Sequence, residues 1–515
     1  MGIYGKTASS FWYAKGIFSL SIKNFTDAMY YFLKAAKQNH TASQYLIGTL
    51  YENGEGVDQD YAQALAWYLV AAEKNNPSAQ NNLGCLYYYG EGVQQSYKEA
   101  AYWFLKAARH DDVGASAQNW MGFLYYNGHG VERNYKQAFY WYKKSSDGGY
   151  GRGHLNLGRL YRDGLGTKRN YIEAFNLFKK AAAKEVDNAN YYLGHMTYHG
   201  HGIARDYNEA FRLYLKAANT GHATSQNNLG CLYKLGHGTE VDYEMAFYWI
   251  QKAAEGGNVQ AQNNLGSLYQ HGNGVQSNIE EAFRWTKMAA DCGNPGALNN
   301  IGYMHHKGLG TKRNYTEALH WYKKAADNKV SRAHYHIGDL YRFGNGVDQN
   351  YTEAIMQYSK ASVKSDKDAQ LELGVMNLQG LGTDVDRDAA LEWFKKSLEN
   401  GNSTAQSYIM QITGSEQKVT CGTNEEKKDI YTRPVELLSL LDTKHDQDYD
   451  WNALGNEEKS KIANLESKKL QCLQTYDFTE AVKSSANMDA PPDYITTMKL
   501  FSIDNLTTEK LGACR

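Results

Sequence analysis

Histidines are the first candidates for chemistry in this chain. His195 and His199 are four residues apart, which would put them on one face of a helix, and His201 follows two residues later. Three imidazoles at this spacing could bind Zn²⁺. No glutamate stands between the first two, however, so the HExxH pattern of zinc hydrolases is missing. We therefore predict no bound metal and no cofactor.

A thiol nucleophile is the second candidate. Cys472, with His445 and Asp446 upstream, has the residue types that a cysteine-dependent enzyme needs. No local signature accompanies them, and most scattered combinations of these residues carry no activity. We therefore predict that the chain is not an enzyme.

The composition indicates a helical protein without a bias toward nucleic acid. The 515 residues include 55 Lys+Arg and 56 Asp+Glu, so the formal net charge is −1 and the basic surplus of a nucleic-acid binder is missing. Only 5 prolines accompany 48 glycines, which favours helices joined by short turns with positive φ. The six cysteines lack paired spacing, and neither a signal peptide nor a membrane span is recognisable. We expect a cytoplasmic protein, with delivery into a host cell left open.

A glycine that follows Leu, Ile or Met recurs along most of the chain. The step is 36 residues at every interval except one of 38, which is the mark of a repeat array. We call these residues the anchor glycines: Gly48, Gly84, Gly122, Gly158, Gly194, Gly230, Gly266, Gly302, Gly338 and Gly374.

Each anchor glycine lies in the first of two predicted helices. Around Gly84, apolar residues at 79, 83, 86 and 87 share one helical face, and Gly90-Glu91-Gly92 then ends the helix and turns the chain. Because a mid-helix glycine is destabilising by about 1 kcal/mol against alanine, we expect it to admit a close neighbour with small residues such as Ala100 and Ala107.

The second helix of each repeat begins at a predicted N-cap. Ser96-Tyr97-Lys98-Glu99 is typical of a capping box, in which the serine hydroxyl and the glutamate carboxylate each accept from a free backbone N–H. The ten predicted caps are Asp60, Ser96, Asn134, Asn170, Asp206, Asp242, Asn278, Asn314, Asn350 and Asp386.

The repeated unit resembles the Sel1-like repeat family, relatives of the tetratricopeptide repeats. Residues 79–108 follow its pattern A-x3-L-G-x-L-Y-x2-G-x-G-V-x2-(D/N)-Y-x-(E/Q)-A-x2-W-x2-K-A-A nearly throughout, and the resemblance covers about residues 43–402. It implies a right-handed superhelical α-solenoid with first helices on the concave side, and adaptor or scaffold roles in signalling, protein quality control or contacts between bacteria and hosts. One subgroup, linked to β-lactam chemistry, has a disulfide in every repeat; this chain lacks those cysteine pairs, so that activity is not carried over.

Three regions are expected in this all-α chain. Residues 1–42 would form a degenerate helical repeat that caps the array, and residues 43–412 ten repeats plus a capping helix. Residues 413–515 lose the period. We predict a small helical C-terminal module there, because Trp451, Tyr476, Phe478 and Phe501 give it apolar surface to bury; a partly disordered tail is the alternative.

The exposed positions of the first helices are the predicted binding site. Three residues before the anchor glycine, five repeats have asparagine, which either clamps the backbone of an extended segment or forms a ladder between neighbouring helices. These residues are Asn81, Asn119, Asn227, Asn263 and Asn299.

The positions one, four and five after the anchor glycine vary, so we expect them to set specificity. Aromatic and basic side chains there would suit a partner with apolar and acidic groups, although several aromatics could instead pack between repeats. The candidates are Tyr88, Phe123, Tyr126, Arg159, Arg162, His195, Tyr198, Lys234, Tyr303, His306 and Arg342. The histidines of the Gly-His-Gly loops, His129, His201 and His237, are interpreted as parts of solvated turns.

The sequence therefore predicts a protein-interaction scaffold or adaptor that holds a protein or peptide partner in a concave groove. The alternative makes the C-terminal module the effector, with the solenoid as its targeting arm. We expect no nucleic-acid partner, no membrane span, and a monomer, since terminal repeats that act as caps favour one.

Overall fold

The computed structural model describes residues 3–110 and 114–413, and helices account for nearly all of them. Within these ranges 23 helices alternate with short turns and no strand occurs. Residues Met1–Gln406 form one compact unit and Ser407–Arg515 a second, of which only residues 407–413 are described. The predicted C-terminal module, with Cys472, His445 and Asp446, lies outside the described residues.

The helices of the first unit come in pairs, each made of a first and a second helix. The first helices are α1 (Ile3–Ser21), α3 (Thr41–Asn53), α5 (Pro77–Tyr89), α7 (Ala115–Asn127), α9 (Gly151–Asp163), α11 (Ala189–His199), α13 (Ala223–Leu235), α15 (Val259–His271), α17 (Pro295–Lys307), α19 (Ser331–Phe343) and α21 (Lys367–Gln379). The second helices are α2 (Phe25–Ala36), α4 (Tyr61–Glu73), α6 (Tyr97–Ala108), α8 (Tyr135–Asp147), α10 (Tyr171–Ala183), α12 (Tyr207–Asn219), α14 (Tyr243–Glu255), α16 (Ile279–Asp291), α18 (Tyr315–Asp327), α20 (Tyr351–Ser362) and α22 (Arg387–Glu399). A last helix, α23, spans Thr404–Thr413.

The predicted tandem array of helix pairs is confirmed. Each helix from α2 to α21 packs against the helix before it and the helix after it in the chain, so the core is a series of small apolar clusters. One such cluster joins Phe104 of α6 to Met121 and Leu124 of α7, across the boundary between two repeats. A repeat thus completes its core only with its neighbours.

The anchor glycines admit a side chain of the second helix that was not predicted, in most repeats a ring. They also admit the predicted small residues, whose position is that of Ala246 beside Gly230. A Cβ atom on Gly84 would lie 2.6 Å from Cδ1 of Phe104, twenty residues later on the paired second helix. The same position has tyrosine or phenylalanine in eight of the ten repeats and Ile250 or Thr286 in the others. Glycine is therefore needed because a side chain from the second helix occupies the Cβ position.

The two glycines of each Gly-x-Gly turn have different functions. Gly164 ends α9 in the left-handed conformation at φ +70°, which is the C-cap predicted from the sequence. Gly166 is also left-handed, at φ +69°, and a Cβ on it would lie 2.1 Å from the carbonyl oxygen of Tyr135 in the preceding repeat. The second glycine therefore sets how closely two repeats approach.

All ten predicted N-caps are confirmed, but the second half of the capping box is wrong. The Ser96 hydroxyl accepts from the backbone N–H of Glu99, as expected. The backbone N–H of Ser96, however, donates to the Tyr87 carbonyl of α5 at 2.9 Å rather than to the Glu99 carboxylate. The same nine-residue bond recurs at all ten caps, so it closes the turn between the two helices of every repeat.

A recurrent glutamine ties each repeat to the one before it, and the sequence analysis missed it. Four residues before the anchor glycine, Gln80 donates to the Ala72 carbonyl at the end of α4 at 3.1 Å. The same bond to the carbonyl of an alanine in the last turn of the preceding second helix is made by Gln44, Gln118, Gln226 and Gln262. It gives a terminal carbonyl of the helix a partner inside the array.

The first helix pair repeats this packing without the Gly-x-Gly turn. A Cβ on Gly16 of α1 would lie 2.3 Å from Cε1 of Phe32 in α2, so Gly16 acts as a further anchor that the 36-residue spacing does not reveal. Two residues later, Phe18 is 66% exposed, whereas the residue at this position is buried in all ten later repeats. No earlier second helix covers α1 within the described residues.

The ring contact makes a testable prediction at Gly122. Alanine at this position should lower stability by about 1–3 kcal/mol, because its methyl group would lie 2.5 Å from Cδ1 of Tyr142. Gly296 is the control, since a Cβ in this helical position has nothing closer than 3.4 Å. Gly296→Ala should therefore keep or raise stability. Urea unfolding followed by circular dichroism measures both, and equal midpoints for the two variants would contradict the ring contact.

Candidate binding surface on the first helices

The first helices lie close to one another along one face of the array. α7 contacts α9 and α13 contacts α15 directly, whereas no pair of second helices in the described part of the chain packs as closely. That the first helices line the concave side, where a partner would meet several repeats at once, stays a prediction. Positions on this first-helix face are numbered from the anchor glycine, so that −3 lies three residues before it.

Three of the five asparagines at position −3 bond to the following repeat. Their Oδ1 atom accepts from the asparagine at position −2 of the next first helix, at 2.9–3.1 Å. The three bonds run from Asn156 to Asn119, from Asn264 to Asn227 and from Asn300 to Asn263. We call this set the Asn ladder. It uses these amides within the array, while a role for them in binding a partner stays a prediction.

The bond of the Asn ladder is missing where the residue at position −2 of the next repeat has a ring side chain. Asn81 and Asn299 have a buried Oδ1 that accepts no hydrogen bond from any described residue, and the next repeats place Trp120 and His336 at position −2. Both rings stack on the second-helix ring behind them, at centroid distances of 5.1 and 4.8 Å. At the His336 junction the Tyr322 hydroxyl is likewise buried with no described partner. At these two junctions a stacked ring thus stands where the Asn ladder has an asparagine that donates to position −3.

Tyrosines of the second helices bring hydroxyl groups to this face across the anchor glycines. The Tyr68 hydroxyl donates to the Glu52 carboxylate and accepts from Asn82 of the next repeat at 3.1 Å. The Tyr358 hydroxyl donates to Asp339 at 2.7 Å. The glycine therefore allows a second helix to supply polar groups to the first-helix face.

Tyr88 and Tyr198, both predicted site residues at position +4, form the same contact between repeats. Their hydroxyls lie 3.1 Å from Nδ1 of His129 and His237, which belong to the Gly-His-Gly turn of the next repeat. Each imidazole also stacks on the first tyrosine of the intervening second helix, at 4.7 and 4.4 Å. The interpretation of these turns as merely solvated was therefore wrong: the histidines join repeats.

Three predicted site residues meet at one cavity, which we call the Arg159 pocket. It has a volume of about 100 Å³ and lies between α7, α8 and α9, lined by Phe123, Tyr126, Asn127, Tyr142, Asn156, Arg159 and Leu160. The Arg159 guanidinium lies 5.8 Å from the centre of the Tyr126 ring, and its Nη1 lies 3.5 Å from the Asn156 Oδ1. Cation, amide and aromatic surfaces therefore converge here.

Arg162 and His195 are held by neighbouring side chains. The Arg162 guanidinium bonds Asp163 through two nitrogens, at 2.7 and 2.9 Å. Burial first, and then the nearby His199, lowers the pKa of His195 to about 4. The rings of His195 and His199 are 4.5 Å apart, but no group of three or more metal-binding side chains in the described ranges is placed to hold an ion.

The remaining predicted site residues differ in accessibility. Lys234 is exposed and Tyr303 is 37% exposed, so both can meet a partner directly. His306 packs against Tyr315, with ring centres 5.3 Å apart. Arg342 forms an ion pair with Glu372 of the next repeat.

A carboxyl group near Arg342, which the sequence analysis missed, has an altered pKa. Burial raises the pKa of Asp339 to about 6, although the Tyr358 hydroxyl and the cations Arg342 and Arg332 act in the opposite direction. Asp339 stands at position +1, where other repeats have aromatic, basic or small residues. A single acidic residue at a variable position gives no sequence signal of its burial.

Comparisons with known proteins identify the repeat. The Sel1 repeat family model matches eleven segments of the chain, the first of which includes α1 and α2: residues 6–40, 41–76, 77–112, 115–150, 152–186, 187–222, 223–258, 259–294, 295–330, 331–362 and 367–402. No curated protein matches the chain.

Solved structures with the same repeat are similar to this chain. The crystal structure of c5321, a protective antigen of uropathogenic Escherichia coli with an SLR fold, is 32% identical, covers 78% of this chain and 92% of its own, and has a TM-score of 0.64. A Sel1 repeat protein from Oxalobacter formigenes is 30% identical over 60% of this chain and 89% of its own, with a TM-score of 0.45.

Tyr322 and Tyr68 occupy the same position in different repeats and should respond oppositely to loss of their hydroxyls. Tyr322→Phe removes a buried hydroxyl without a described partner, so stability should stay the same or rise. Tyr68→Phe removes the bonds to Glu52 and Asn82 and should lower the free energy of unfolding by about 1–3 kcal/mol. Urea midpoints test this, and an equal loss in both variants would contradict the hydrogen-bond assignment.

The raised pKa of Asp339 predicts a pH dependence of stability. The folded protein holds this proton more tightly than the unfolded chain, so the stabilisation is complete below about pH 3.8 and is lost as the pH rises through about 6. The shift amounts to at most about 3 kcal/mol, at about 1.4 kcal/mol for each pKa unit. Asp339→Asn keeps an acceptor for the Tyr358 hydroxyl and removes the titration.

The measurement is the difference in melting temperature between the wild type and Asp339→Asn at several pH values. Relative to the variant, the wild type should gain stability as the pH falls from 7.5 to 4.5. A difference that does not change over this range would contradict a buried, proton-holding Asp339.

Proposed function

As this chain belongs to the Sel1 repeat family, whose members are in general protein-interaction scaffolds, we propose that it is a non-enzymatic scaffold that binds an extended segment of a partner protein across its first helices. A near-neutral chain of formal net charge −1 favours a protein partner over nucleic acid. No helix of the described residues is long and apolar enough to cross a bilayer. Before a partner binds, the protein is proposed to be a cytoplasmic monomer.

The observation that carries the proposal is that some first-helix positions recur and hold the array together, whereas others vary. The anchor glycine, the glutamine at −4 and the Asn ladder recur and hold neighbouring helices together. Positions +1, +4 and +5 differ from repeat to repeat on the same face. Variable positions on a face whose helices are held together by recurring residues are suited to recognition of a specific segment.

Large apolar side chains stand exposed at position +5. Tyr89, Leu235 and Phe343 are 57%, 52% and 58% exposed. Exposed Lys234 and Lys307 lie on the same helices or their neighbours. Apolar anchors beside lysines suit a partner segment that alternates apolar and acidic residues.

A matched pair of triple variants tests this face. We expect Tyr89→Ser, Leu235→Ser and Phe343→Ser together to weaken retention of the partner at least tenfold in affinity pulldown, because they remove its apolar anchors. The control changes three comparably exposed tyrosines of the second helices: Tyr102→Ser, Tyr140→Ser and Tyr248→Ser. Equal retention by both triple variants would contradict binding on the first-helix face.

A chain ending at Ile412 tests the alternative in which residues 413–515 are the effector. The groove proposal expects this shorter chain to retain the same partner as the full chain. Loss of that partner on truncation, with the repeat array still folded, would favour the alternative.

A further inference from the structure

The Arg159 pocket contains a cation whose hydrogen-bonding capacity is largely unused. Arginine carries five N–H donors in a planar fork. The Nε atom of Arg159 is buried and has no hydrogen-bond partner among the described residues. Its single side-chain hydrogen bond to a described residue is the 3.5 Å contact from Nη1 to Asn156, at the limit of hydrogen-bond length.

No described carboxylate neutralises this arginine. Asp163 lies one turn further along α9, but both of its oxygens bond Arg162, at 2.7 and 2.9 Å. Arg342, on another first helix, is paired with Glu372 of the array. A half-buried cation without a counter-ion is unfavourable. Binding of an anion from outside the chain would therefore stabilise the charged Arg159 side chain.

The shape and lining of the pocket define the anion. About 100 Å³ is several times the space of about 10–15 Å³ that one water needs, so the pocket has room for a carboxylate. Phe123 and Leu160 offer apolar surface for the carbon atoms next to such a group. A single guanidinium suits the one negative charge and planar shape of a carboxylate.

Tyr142 adds a phenol side chain to the lining of the pocket. Burial raises the pKa of Tyr142, so the phenol stays protonated and is able to donate. The Tyr142 side chain comes from the second helix and passes Gly122. Its Cδ1 atom lies 2.5 Å from the position that a Cβ on Gly122 would take. The pocket therefore combines donors from α8 and α9.

We infer that the Arg159 pocket binds a carboxylate of the partner, with Arg159 as the charged donor and the aromatic walls accepting the adjoining apolar group. This inference rests on the proposed function, because it assigns one contact within the same binding face. The carboxylate belongs either to the partner's C-terminus or to a glutamate or aspartate side chain.

Arginine-selective NMR of the full chain tests the inference directly. The Nε–Hε resonance of Arg159 is identified by its loss in Arg159→Lys, and that of Arg212, whose side chain is 77% exposed on a second helix, by its loss in Arg212→Lys. The probes are N-acetylphenylalanine, which has a terminal carboxylate, and N-acetylglutamic acid α-amide, which has one on its side chain. N-acetylphenylalaninamide is the neutral control.

At least one carboxylate probe should shift the Arg159 resonance with an affinity at least fivefold above that of the neutral amide, while the Arg212 resonance stays in place. Whichever carboxylate binds more tightly identifies its source. Arg159→Gln should weaken the tighter probe at least tenfold, as followed by the Tyr and Trp resonances. No shift with either carboxylate, or an equal shift with the amide, would overturn the inference.

The same variant separates this inference from the proposed function. If Arg159→Gln holds the partner as well as the wild type does while the triple first-helix variant loses it, the carboxylate contact is wrong and the groove proposal stands. If the triple variant also binds unchanged, the groove proposal itself fails. An unaltered urea midpoint for Arg159→Gln establishes that a loss of binding is not a loss of fold.

Discussion

The contact between each anchor glycine and a side chain twenty residues later is the constraint from which the rest of the array follows. It places the paired helices so close that no Cβ fits between them at Gly84, Gly122 or Gly302. A single added methyl group would force the ring, the backbone or both to move. The repeat therefore keeps glycine in mid-helix despite its low helix propensity.

The same close approach links the two faces of the array. A ring that crosses a glycine continues past it, so the hydroxyls of Tyr68 and Tyr358 end among polar groups of the first helices. Phe104 crosses its glycine without a hydroxyl. The aromatic ring of Trp120, at position −2 of the next repeat, stacks on Phe104 instead. The polar and aromatic groups of the first-helix face therefore depend partly on residues of the second helices.

Much of the fold follows from sequence spacing, whereas the contacts between repeats do not. The 36-residue step gives the helix pairs, and the residue types at the caps and turns give their ends, because these depend on local backbone geometry. Spacing along one helix does not reveal which neighbour fills the space beside Gly84, so Phe104 was not expected there. Gln80 and Asp339 escaped notice for the same reason, since their partners or burial depend on the stacking of repeats.

The reach of the bonds between repeats bears on how the protein is made. The Asn ladder bonds span 37 residues and the contact of Tyr88 with His129 spans 41. A newly synthesised repeat thus finds every partner of this kind within the segment that left the ribosome just before it. Folding can advance with translation, one repeat at a time, without long stretches of apolar chain waiting for a distant partner.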